Sequence, residues 1–116
     1  MQDFQLLLSE PHARVLELRL AGEVDLATVA PLREATTTAI ASGAYDRLIF
    51  DLAGVTFIDS SGLHVVAEAE RAFSRNGGAT LVVNPAPNVR RVFELLGLDR
   101  LLPIVSDRAE ALAPSA

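Results

Sequence analysis

The chain of 116 residues has no cysteine, no tryptophan, one tyrosine and only two histidines. Without cysteine there is no disulfide, no thiolate nucleophile and no sulfur-based zinc site, and a reducing compartment is weakly favoured. Aromatic side chains make up 5% of the sequence, so the interior must be aliphatic and no stack of rings is available for bases or sugars. Positive charge is also scarce: ten Lys and Arg face fifteen Asp and Glu, a formal net charge of -5. On average such a surface repels phosphate backbones and anionic membranes, so neither nucleic acid nor membrane is an expected partner. No apolar run approaches the ~20 residues of a membrane span. The opening M-Q-D-F-Q-L-L-L-S-E lacks the basic segment of a signal peptide, and a cytoplasmic protein is expected.

The motifs of common enzyme chemistry are missing as well. There is no P-loop, no G-x-G-x-x-G, no G-x-S-x-G elbow and no His or carboxylate cluster with metal spacing. His12 falls in a predicted turn, and His64, although one helical turn from Ser60, is expected to face solvent. A serine triad would further require an orienting acid and an oxyanion hole. Neither enzymatic activity nor a cofactor is expected.

What is present is an aliphatic globule, 50% apolar and 22% charged, long enough for one domain over residues 1–116 with 113–116 as a fraying tail. Phe4, Leu6 and Leu8 alternate with polar positions, as do Leu16, Leu18 and Leu20, predicting two antiparallel strands joined at Glu10-Pro11-His12, the second ending at Gly22. Helical spacing from Ala27 to Ser42, with Pro31 in the first turn and Gly43 as the stop, predicts the first helix. Leu48 to Leu52 reads as a central strand covered on both faces. A second helix follows from about Leu63 to Asn76, then a strand at Ala79 to Val83, a helix marked by Val89, Val92, Phe93 and Leu96, a short strand near Ile104, and a last helical turn from Asp107 to Leu112. This alternation predicts an α/β domain with a mostly parallel sheet and an edge hairpin.

The second helix is introduced by F-I-D-S-S-G-L-H, residues 57–64. Ser60 is the expected N-cap, which by itself is ordinary helix chemistry. A second serine, a preceding acid and Gly62 inside the first turn, where glycine costs about 1 kcal/mol relative to alanine, point instead to hydroxyls that another molecule reaches. Asp25, in G-E-V-D-L, either stabilises the start of the first helix or belongs to the same site. With strands two and three as parallel neighbours, Asp25 and Ser61 open on one edge of the sheet, where open α/β folds place their sites.

G-E-V-D-L-A-T at 22–28, L-I-F-D-L-A-G-V-T-F-I-D-S-S-G-L at 48–63 and R-R-V-F-E-L-L-G-L-D-R-L-L-P-I at 90–104 resemble the STAS domain of anti-sigma-factor antagonists over nearly the whole chain. The resemblance implies a mixed sheet of four to five strands with helices mainly on one face. It implies a bacterial transcription switch: the unmodified protein binds an anti-sigma factor that is also a serine kinase, freeing the sigma factor. That kinase then phosphorylates the serine before the motif glycine, here Ser61, with the adjacent Ser60 as rival, and a serine phosphatase reverses the step. Asp25, Asp59, Ser60, Ser61, Gly62, Leu63 and His64 are the implied partner-binding residues, and Val65, Ala69 and Ala72 either extend that face or are buried. His64 replaces the small or other polar residue of many members, with a bearing on partner choice. The chain is expected as a monomer or weak dimer. The family also contains accessory subunits of lipid-transport ABC complexes, a second reading of the same motifs.

Overall fold

The computed structural model of the protein describes residues 3–113; the predicted fraying of the tail falls, beyond residue 113, outside them. The chain runs β1 (Gln5–His12), β2 (Val15–Val24), α1 (Val29–Ser42), β3 (Arg47–Ile58), α2 (Ser60–Arg75), β4 (Ala79–Val83), α3 (Pro87–Leu95), a 3-10 turn at Leu98–Arg100, β5 (Ile104–Val105) and α4 (Arg108–Leu112). The five strands form one mixed sheet in sequence order: β1 is antiparallel to β2, and the other neighbours are parallel.

The period-2 pattern decides which side chain goes where. Leu16, Leu18 and Leu20 of β2, Leu48, Phe50 and Leu52 of β3 and Val82 of β4 share one face and pack with α1, α2 and α3. Val15, Ile49 and Val83 point the other way and pack against Ala111 of the short α4. The helices therefore lie mainly on one face, and β3 is covered on both sides over its first half, as its dense apolar run requires.

Three predicted boundaries shift. The hairpin turn is at Ala13-Arg14, beyond Glu10-Pro11-His12, and Arg14 takes a positive φ of 63° with its guanidinium on Asp46. Pro11 is tolerated within β1 because that strand lies at the sheet's edge, next to a register shift between Ser9 and His12. Gly22 does not end β2. It bends the strand at φ +89°, so close to Asp3 that a Cβ would stand 2.6 Å from the Asp3 carbonyl oxygen, and the strand continues to Val24. β3 is twelve residues long because Gly54 to Ile58 pair with Ala21 to Val24 of β2.

One polar group lies in the interior of the second face. The Glu17 side chain is 0% exposed and receives both Nε (2.6 Å) and an Nη (2.9 Å) of Arg108, with Ser9 Oγ donating at 3.2 Å. These bonds, led by the Arg108 fork, hold the Glu17 carboxyl below its ordinary value against the opposing effect of burial. The pair fastens α4 to the sheet.

Candidate functional site

The site forms where β2 and β3 end together. Val24 pairs with Ile58, and Asp59 N–H donates to the Val24 carbonyl at 3.0 Å, so the loop bearing Asp25 and the start of α2 are adjacent. This parallel register follows from the two apolar strands facing the same helices.

Asp59, and not Ser60, caps α2. Its backbone is extended, and its Oδ1 accepts the N–H of Ser61 at 2.8 Å and of Gly62 at 3.3 Å. A carboxylate in this position satisfies two otherwise orphan donors and meets the positive end of the helix dipole, which a serine hydroxyl does less well. Ser60 becomes the first helical residue and is exposed, and Ser61 beside it is half-buried. The first turn of α2 thus presents two neighbouring hydroxyls next to a fixed negative charge.

Gly62 has a different role from the expected one. It is buried, and a Cβ there would lie 2.7 Å from Val24 Cγ1 and 2.8 Å from Ile58 Cγ1. Its small size lets the helix descend onto the strand ends; it does not open space for a visitor. Leu63 is likewise buried in the main core, as are Val65, Ala69 and Ala72, so the buried reading of that helical line holds. Of the α2 residues expected at a partner surface, Ser60 and His64 are exposed and Ser61 is half-buried. His64 faces solvent as expected and pairs with Glu68 one turn on.

Asp25 organises its own loop. Its Oδ1 accepts from the N–H groups of Ala27 (3.0 Å) and Thr28 (3.1 Å), while Thr28 Oγ1 accepts from Asp25 N–H at 2.9 Å and donates to the Glu23 carbonyl at 2.8 Å. The closed loop lifts Leu26, 78% exposed, out of the surface. Phe57, 47% exposed, stands at the end of β3 opposite Glu23. The sequence reading missed both. An apolar residue between Asp25 and Ala27, outside any strand or helix, was the available signal for Leu26, and the outward parity of Phe57 became legible only once β3 was known to continue past Leu52. Among the described residues no group of three His, Cys, Asp or Glu side chains is placed to hold a metal ion.

With this geometry, residues 8–111 match the model of the STAS domain. The anti-sigma F factor antagonist of Lysinibacillus sphaericus is 37% identical over 81 residues, 70% of this chain and 69% of that protein. The anti-sigma factor antagonist SpoIIAA in its unphosphorylated form superposes with a TM-score of 0.83 at 31% identity, covering 93% of each chain. The Bacillus cell fate determinant SpoIIAA in the phosphorylated form gives a TM-score of 0.78 at 30% identity, covering 93% of this chain and 96% of that one. The chain belongs to the STAS domain family.

Proposed function

We propose that this protein is an anti-sigma-factor antagonist whose unphosphorylated form binds an anti-sigma factor with serine-kinase activity, releasing the sigma factor, and that phosphorylation of Ser61 ends the binding. The observation that carries this reading is the Asp59-capped pair of hydroxyls at the head of α2, beside the Asp25 loop. It is supported by relatives named as antagonists of anti-sigma factors and by a similar structure in a phosphorylated form. Leu26, exposed on the Asp25 loop, and Phe57, exposed at the end of β3, would supply apolar anchors to the docking surface.

The switch is electrostatic. A phosphate adds roughly -1.5 to -2 charges at neutral pH. The first amide groups of α2 are not vacant to receive it, because Ser61 and Gly62 N–H already donate to Asp59. The added anion therefore stands next to a carboxylate on an exposed edge, where water solvates it. Covering it with a partner removes that water and forces like charges together, a cost of several kcal/mol, and each 1.4 kcal/mol weakens affinity about tenfold. The hydrophobic core beneath is untouched, and a serine phosphatase restores binding by removing the group.

The test is to incubate the protein with its anti-sigma kinase and ATP and locate the added phosphate by mass spectrometry. Ser61→Ala should abolish labelling and keep binding. Labelling that survives in Ser61→Ala and disappears in Ser60→Ala would transfer the role to the more exposed neighbour, and no labelling of either serine would remove the switch.

A further inference from the structure

The sheet ends at β1, whose outer edge meets no other strand among the described residues. The two halves of that edge differ. Pro11 and the register shift between Ser9 and His12 interrupt the second half, as edges that avoid pairing commonly are. Gln5 to Ser9, Q-L-L-L-S, pairs regularly with β2 on its inner side and contains no proline, glycine or charge. Leu7 and Leu8 are 64% and 53% exposed along it. An uninterrupted apolar edge of this kind is a template for one more strand.

Leu6 and Leu8 point toward the helices, where with Leu16, Pro31, Ala35 and Tyr45 they line an apolar groove of about 430 Å³ between β1 and α1. Leu7 points to the other face, opposite Arg19 of β2. Glu10, the one carboxylate of β1, accepts the Tyr45 hydroxyl and so stands apart from the leucines.

We propose that β1 is the seat of a two-fold dimer, in which Gln5 to Ser9 of a second copy pairs antiparallel with the same residues and the two sheets become continuous. The order of side chains selects a second copy as the occupant. With the axis at Leu7, Leu6 of each copy lies opposite Leu8 of the other, Gln5 lies opposite Ser9, and Leu7 meets itself, so apolar faces apolar and polar faces polar. Glu10 then falls opposite Phe4 and Asp3 opposite Pro11, and no like charges meet across the strands although each copy carries a net charge of -5. Centring on Leu8 would set Leu6 against Glu10, and centring on Leu6 would set Leu7 against Gln5. The Leu7 register also keeps the helices of both copies on one face, so that Leu6 and Leu8 of each extend the apolar groove of the other. So short an interface is weak, and the like net charges make it tighten as salt rises.

The test is sedimentation velocity up to about 1 mM protein, the range that a small interface needs, with 15N spectra recorded over the same series. A dimer that strengthens with salt is expected, with concentration-dependent shifts centred on the Leu6, Leu7 and Leu8 amides. Leu7→Lys and Leu7→Glu, both at an exposed position, should each leave Tm within a few degrees and each be monomeric, yet associate when mixed, because the substituted positions meet at the axis. A monomer throughout, a dimer unaffected by either substitution, or no association in the mixture would overturn the proposal. So would a monomer whose β1 amides shift only when the anti-sigma kinase is added, which would give the edge to that partner. Ser61→Ala should dimerise as the unmodified protein does, which separates this surface from the phosphorylation switch.

Discussion

Replacing Gly62 by alanine tests the packing that sets α2 onto the strand ends. The new methyl would stand 2.7 Å from Val24 Cγ1, 2.8 Å from Ile58 Cγ1 and 3.1 Å from Ile58 Cδ1. Val24 and Ile58 are buried and β-branched, so neither can swing away freely. Overpacking of this kind costs about 1–3 kcal/mol, and alanine regains about 1 kcal/mol of helix propensity. The net effect is a loss of about 1 kcal/mol, or roughly 4 °C in Tm for a domain of this size. In a Val24→Ala background one of the two obstacles is gone while Ile58 still stands at 2.8 Å, so the same substitution should there cost less than in the parent, by a few tenths to about 1 kcal/mol. Urea unfolding of the four proteins of this cycle measures both. A Gly62→Ala protein that gains about 1 kcal/mol, as an unhindered helical glycine would, or a cycle without coupling, would refute the close approach.

Three other outcomes follow from the polar contacts. Arg108→Ala leaves the fully buried Glu17 carboxylate without its fork; because Arg108 is itself 40% exposed, the loss should sit near the lower end for broken buried pairs, about 3 kcal/mol by chemical denaturation. Glu17 has a depressed folded-state pKa, so its contribution is complete above the ordinary carboxylate value of 4.5 and disappears as pH falls through the lower folded value. Acid titration of stability should therefore flatten in Glu17→Gln relative to the parent. Asp59→Ala should cost about 1 kcal/mol through the lost cap, with Asp59→Asn retaining most of it, as read from thermal unfolding.

Much of the fold was legible because apolar spacing reports directly on burial. The alternation at Leu16, Leu18 and Leu20 and the dense run at Leu48 to Leu52 identified the strands, and the parallel pairing of β2 with β3 followed from the intervening helix. What the local pattern could not give was the continuation of β2 beyond Gly22 and of β3 beyond Leu52. Those extensions stabilise each other across the sheet, and neither reads as a strand alone. The same limit governs the site. Serine and aspartate both cap helices, so D-S-S-G did not reveal that the carboxylate wins the cap and releases both hydroxyls. A glycine required for an internal contact with Val24 looks, in sequence, the same as one that opens a surface.

The most direct measurement compares the affinity of the anti-sigma kinase for the protein before and after stoichiometric phosphorylation, by calorimetry, with Tm recorded on both forms. A loss of at least a hundredfold in affinity, with Tm within a few degrees, is the expected result. Unchanged affinity, or a loss accompanied by unfolding, would contradict a switch that acts through surface charge at the head of α2.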